Sequence, residues 1–198
     1  ASHLTEQVLP VDQQQRFAGR LKERLHELEH QVRDMLVFAR GDLPLPDRLA
    51  PKTFFAALRA AAEPHVQGHA VRWQCDSHTG ELLCNRDTLV GAVLNLVENA
   101  LQAAGPQARL KVQRYSRGQQ LRLCISDNGE GIDSATLERL GEPFFTTKTT
   151  GTGLGVAVVK AVARAHQGDL LLRSRPGRGT CAILTLPLIA AAHPVTQV

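Results

Sequence analysis

The chain has 198 residues, 43% of them hydrophobic and 21% charged, the make-up of a water-soluble globular protein with one main domain and room for an extension. A net charge of +4 and a pI near 9.1 would suit nucleic acid, but only 4% of residues are aromatic, basic and acidic residues are interspersed, and no helix-turn-helix stands out, so no direct nucleic-acid binding is expected. No apolar run approaches the roughly 20 residues that span a bilayer and no signal-like start is present, so we expect no membrane segment in this chain and a cytoplasmic location.

In chain order, residues 13–40 come first. Ala18, Leu21, Leu25, Leu28, Val32, Met35 and Ala39 recur at alternating spacings of three and four, the seam of a coiled coil or helical bundle. Asp12 is a suitable N-cap, and the turn at Pro10 makes residues 1–9 the end of a preceding antiparallel helix. His26 and His30 lie four apart on this helix and read as a solvated face rather than a metal site. Residues 41–52, rich in proline, break the helix and serve as a linker.

From Thr53 the pattern becomes mixed. Helices are predicted near 53–63, 86–104, 133–140 and 154–166, with strands near 70–75, 81–84, 108–115, 120–126, 169–174 and 180–186. Consecutive strands at 108–126 and 169–186 predict antiparallel hairpins, hence an α+β protein: an α/β sandwich with helices on one face. Residues 53–190 form the main domain and 191–198 a tail. Cys75, Cys84, Cys124 and Cys181 are dispersed without a Cys-x-x-Cys pair, so buried reduced thiols are expected rather than metal ligands or disulfides.

Four short segments carry chemistry. In Asn95-Leu-Val-Glu-Asn99, two amides four apart on a helix lie about 40° apart on one face, so both can act on one ligand. Magnesium takes hard oxygen ligands and keeps several waters, and Asn99 is the candidate protein ligand. In Asp127-Asn-Gly-Glu-Gly131, a carboxylate closes a strand where it can accept from the exocyclic amine of adenine, while Gly129 and Gly131 let backbone approach a flat ring. Gly151, Gly153 and Gly155 lead into a helix whose bare N-terminal amides suit a polyphosphate. Gly177-Arg-Gly-Thr180 precedes the last strand. No P-loop sequence occurs, and Gly-x-Gly-x-Gly after a threonine-rich loop is not a dinucleotide fingerprint.

In this order, the segments resemble the N, G1, G2 and G3 boxes of the catalytic, ATP-binding part of sensor histidine kinases of two-component systems. These belong to the GHKL superfamily with gyrase, Hsp90 and MutL. Glu142-Pro-Phe-Phe-Thr-Thr-Lys148 resembles the F box and short ATP lid of the nitrogen-regulator type, whose usual partners activate sigma-54 transcription. The wording of residues 34–40 is most similar to flagellar sensor kinases. The resemblance implies a Bergerat-type sandwich preceded by a helical dimerisation and phosphotransfer segment, of which residues 1–40 are the C-terminal part, and a homodimer through a four-helix bundle.

The resemblance further implies ATP and Mg2+ as cofactors, and transfer of the γ-phosphate to a histidine absent from this chain, thence to an aspartate of a response regulator. Asn95, Asn99, Lys148 and Glu98 are the implied catalytic group. Asp127, Gly129, Gly131, Ile132, Thr150, Gly151, Thr152, Gly153, Leu154, Gly155 and Thr180 join Asn95, Asn99 and Lys148 around the nucleotide, with the metal at Asn99. Phe144 and Phe145 are expected to clip the lid to the domain. The phosphoacceptor box, roughly His-Glu-Leu-Arg-Thr-Pro-Leu, has no match here, and His3 lacks its acid and proline. Related ATPases carry a glutamate base where Asn95 stands; Glu98 is a helper about 100° around the helix from Asn99. An amide cannot take a proton, so slow hydrolysis is expected. A stand-alone ATPase or serine kinase, and a nonenzymatic dimerisation module, are the alternatives.

Overall fold

The computed structural model describes residues 10, 12–19, 21, 43–76, 80–148 and 151–190. Of the seam read over 13–40, only residues 13–19 and 21 lie in that range. Helix α1 covers 12–19, with Phe17 58% and Leu21 63% exposed. Asp12 is already helical and so is not the cap; the Pro10 carbonyl accepts from the Gln14 N–H at 3.0 Å. The readings placed on residues 1–9, 22–40 and 191–198 lie outside the described residues.

Within the stretch read as linker, β1 (Asp47–Leu49) pairs antiparallel with β3 (Leu82–Cys84). A three-residue strand between prolines leaves no readable alternation. Asp47 fixes it by accepting the Arg86 N–H at 3.0 Å. Helix α2 (Pro51–Val66) starts on a proline, whose missing N–H costs nothing in a first turn. It buries Phe54, Phe55, Leu58, Ala62 and Val66.

Helix α3 (Arg86–Ala104) is capped by Asn85, which accepts from the Thr88 N–H at 3.1 Å, and it stops at Gly105. The N–H of Asn85 in turn donates to Nε2 of buried His166, and burial pulls that imidazole below the ordinary histidine range. Helices α4 (Ser134–Arg139), capped by Asp133, and α5 (Gly155–Ala165) follow.

Strands β2 (Ala70–Cys75), β4 (Arg109–Arg117), β5 (Gln120–Ser126), β7 (Thr180–Pro187) and β6 (Asp169–Ser174) form one sheet in that order. Both expected hairpins, β4–β5 and β6–β7, are antiparallel; β5 and β7 join them, and β2 adds parallel to β4. Alternation turns Leu110, Val112, Leu121, Leu123, Ile125, Leu184 and Leu186 toward α2, α3 and α5. This is the α+β sandwich expected, with helices on one face. Complete burial of a leucine is worth about 2 kcal/mol, so this shared face dominates stability.

All four cysteines are free, but burial is uneven. Cys84 and Cys124 are buried, Cys181 is half-buried, and Cys75 is exposed because it ends the edge strand β2. Among the described residues, no helix is long and apolar enough to cross a membrane.

Candidate functional site

The end of β5, the turn between β6 and β7, the C-terminal half of α3 and the start of α5 converge on one side of the sandwich. Asp127 follows β5 directly. Its N–H donates to the Thr180 carbonyl at 3.0 Å, while its Oδ1 accepts from the N–H groups of Gly129 at 2.8 Å and Thr180 at 3.1 Å. Both side-chain bonds fall on Oδ1, which leaves Oδ2 as the oxygen able to face a ligand. Burial pushes the Asp127 carboxyl above its ordinary range, and the two N–H bonds offset only part of that.

The turns around the carboxylate are backbone-tight. Gly131 has φ +73°, and a Cβ there would collide with the Arg175 carbonyl oxygen. Gly179 has φ +74°, and a Cβ there would strike the Asp127 carbonyl. Ser174 links the loops: its Oγ accepts the Ile132 N–H at 2.8 Å, donates to the Gly179 carbonyl at 2.9 Å and lies 2.8 Å from Thr180 Oγ1. A lone serine at a strand end carries no motif, so the sequence alone does not mark it.

At the other end, α5 meets α3. Leu154 is the N-cap of α5 without a side-chain capping bond, so no side chain caps the first N–H groups there. A Cβ on Gly155 would lie 3.7 Å from Asn99 Nδ2 and 3.9 Å from the Asn95 Cβ, which measures how closely that helix start approaches both amides. Asn95 is 5% exposed. Lys148 Nζ donates to Asn99 Oδ1 at 2.9 Å and to Gln102 Oε1 at 2.6 Å. Burial lowers the Lys148 ammonium below the usual lysine range, with the Glu98 charge acting the other way. Gln102, one helical turn from Glu98 and three residues from Asn99, is a second oxygen donor that the motif alone did not mark.

Other expected residues are placed less centrally. Glu98 pairs with His65 of α2 at 3.0 Å, so its carboxylate is engaged by the neighbouring helix. The Thr152 Oγ1 accepts the Leu154 N–H at 3.4 Å, and Gly151 lies against Thr146 and Lys148. Thr150 is outside the described residues. Of the two lid phenylalanines, Phe145 lies beneath the Arg139 guanidinium at 4.0 Å, but Phe144 is 69% exposed with φ +66°. Only Phe145 clips the lid; the left-handed turn at Phe144 points its ring into solvent. Lys160, unmarked by sequence, holds the loop by donating to the Leu140 carbonyl at 2.5 Å.

Comparison with known proteins adds to this geometry. Residues 84–190 match the family described as histidine kinase-, DNA gyrase B- and HSP90-like ATPase. The chain is 79% identical to Sensor protein kinase FleS of Pseudomonas aeruginosa over 192 residues, covering 97% of this chain and 48% of that protein. It is 38% identical over 117 residues to the Escherichia coli signal transduction histidine-protein kinase AtoS, 58% of this chain and 19% of that one. The chain thus spans about half or less of the length of these curated relatives. Among solved structures, full-length ShkA in complex with AMPPNP superposes with TM-score 0.76 at 23% identity, over 97% of this chain and 42% of that one. Histidine kinase ThkA in complex with the response regulator protein TrrA gives TM-score 0.70 at 17% identity, over 93% and 54%. At such identities these two structures speak for the fold alone.

Proposed function

The chain belongs to the histidine kinase-, DNA gyrase B- and HSP90-like ATPase family, and we propose that it is the ATP-binding catalytic core of a two-component sensor histidine kinase. In that role it transfers the γ-phosphate of Mg-ATP to a histidine on a longer chain, and from there to an aspartate of a response regulator. The observation that carries the reading is Asp127, a half-buried carboxylate whose Oδ1 is held by two backbone N–H groups while Oδ2 is left to accept from the adenine amine. The likeness to FleS favours a kinase of flagellar regulation acting on a sigma-54 activator. We assign residues 1–40 to the helical dimerisation segment, β1 through residue 190 to the catalytic domain and residues 191–198 to a tail.

Each residue has a task in this reading. Asp127 selects the base, and Gly129, Gly131 and Ile132 supply the backbone around it. Leu154 and Gly155 lead into the uncapped first turn of α5, whose N–H groups meet the phosphates. Lys148 adds positive charge at the same place. Asn99 Oδ1 and Gln102 Oε1 already hold a cation, the Lys148 ammonium, and hard neutral oxygens of this kind would suit magnesium. When bound, magnesium would neutralise phosphate charge. Asn95 cannot serve as a base, and Glu98 is turned toward His65, so water is poorly activated and transfer to histidine outruns hydrolysis.

The test is transfer in trans. The chain is mixed with labelled ATP and a longer chain that carries the phosphoacceptor helix but has Asp127→Asn in its own catalytic domain. Acid-labile label on the longer chain is the expected result. No transfer, together with rapid ATP turnover abolished by Glu98→Gln, points instead to a stand-alone ATPase.

A further inference from the structure

Charges that are interspersed in the sequence are sorted by strand alternation. Every second residue of the sheet points at the helices, and the residues between them point to the opposite face, where the charges are nearly all of one sign. Arg72, Arg109, Lys111, Arg117, Arg122 and Arg173 lie there against one carboxylate, Asp169. The chain as a whole carries +4, so this surplus leaves the remainder close to neutral. None of the six cations is ion-paired with a described carboxylate.

Register sets these residues in rows. Arg72, Lys111, Ser126, Cys181 and Arg173 stand side by side across all five strands, a line about 19 Å long. Arg72 and Lys111 are directly opposite each other, an arrangement that costs stability unless an anion relieves it. The next row is uncharged: Gln74 and Gln113, joined by a hydrogen bond of 2.8 Å, then Cys124, Ile183 and Leu171, the last 45% exposed. Beyond it come Tyr115, 36% exposed, then Arg122 and Arg117. The Nε of half-buried Arg122 is itself buried and has no acceptor. At the Arg173 corner the face runs into an open groove of about 610 Å³, which Arg175 and Arg178 also line and where Asp127 is the one carboxylate.

An apolar band between cationic borders has the anatomy of a protein interface, a centre that excludes water inside a polar rim. We propose that this face docks an acidic protein segment with apolar side chains interspersed, its carboxylates meeting the arginines and Lys111 and its apolar groups covering Leu171, Ile183 and Tyr115. Phosphate polyanions match it less well. A nucleic-acid strand is held by cations along its track and by several stacking rings, whereas the middle row has no cation and the described face has one ring, Tyr115. An anionic bilayer would meet the borders but offer the middle band only headgroups. Docking here needs no nucleotide, so it is independent of the kinase reading.

An exposed ion pair is worth at most about fivefold in affinity, so reversing two cations should cost about 20-fold, and the apolar band supplies the rest of the binding.

The test uses the full chain in physiological salt with four probes: a random copolymer of glutamate and tyrosine, polyglutamate, single-stranded DNA, and phosphatidylglycerol vesicles. Affinity is measured for each, and lysine acetylation is mapped by mass spectrometry with Lys52, exposed on α2, as the internal reference. The copolymer is expected to bind about tenfold more tightly than polyglutamate and to shield Lys111 but not Lys52. Arg72→Glu with Lys111→Glu should weaken it about 20-fold. Arg59→Glu with Arg164→Glu, the same change of net charge at exposed helix positions, should weaken it twofold or less. Leu171→Gln should remove most of the copolymer's advantage over polyglutamate. Equal shielding of the two lysines, equal losses in the two double variants, or a copolymer no better than polyglutamate overturns the proposal. DNA or vesicles that bind more tightly than the copolymer and shield Lys111 overturn it too, and give the face to a phosphate polyanion. Should the variants misfold, the acetylation map of the unmodified sequence still decides it.

Discussion

At the Asp127 end of the candidate pocket, backbone N–H groups of Gly129, Thr180, Ile132 and Gly177 all find fixed acceptors, and glycines sit where a Cβ would collide with a carbonyl. At the lid end, contacts run through long side chains: Lys148 to Asn99 and Gln102, Arg139 over Phe145, Lys160 to Leu140, with Phe144 in solvent. On the proposed function, the contrast divides base recognition from phosphate chemistry. A preformed end can read a base with little ordering cost, while an adaptable end can close around phosphates and open to a protein substrate.

Breaking the rigid end should have the largest effect. Asp127→Asn keeps Oδ1 for the two N–H groups but presents an amide to the base, so nucleotide affinity should fall about 100-fold, near 2.7 kcal/mol, by calorimetry. Stability should move the other way. Burial raises the folded-state value of Asp127, so its contribution is fully present below the ordinary aspartate range and is lost as pH rises through the folded value. The asparagine variant should therefore melt at or above the parent temperature at pH 7, and a drop of several degrees would speak against a carboxylate kept for function.

Gly131→Ala comes next. The left-handed φ and the Arg175 carbonyl leave no room, and we expect roughly 2–3 kcal/mol lost in denaturant unfolding. A variant as stable as the parent contradicts a rigid turn. At the adaptable end, Lys148→Ala should lower the phosphotransfer rate about tenfold, roughly 1.4 kcal/mol, with nucleotide affinity changed less than threefold; the reverse pattern would make Lys148 a binding residue only. The smallest effect belongs to Phe145→Leu, which removes the Arg139 contact worth about 0.5–1 kcal/mol and should raise amide exchange in residues 140–148 without shifting the global melt.

Much of this fold is legible in the sequence. The periodic helices and the two hairpins follow from alternation against a single core, and the glycine segments follow from what a phosphate or a flat ring demands of backbone. What escaped has a common cause. Ser174, Gln102 and Lys160 matter through partners 42, 46 and 20 residues away, and no local pattern encodes such meetings. Strand β1 is too short to alternate, and Phe144 and Phe145, adjacent in sequence, are sent opposite ways by one left-handed turn.

The most direct measurement is a calorimetric comparison of Mg-ATP with Mg-ITP, which replaces the exocyclic amine of the base by a carbonyl. If Oδ2 of Asp127 reads that amine, ITP should bind about 30- to 100-fold more weakly, because carbonyl and carboxylate then face each other as two acceptors. Equal affinity for the two nucleotides would contradict the assignment of Asp127 as the reader of the base.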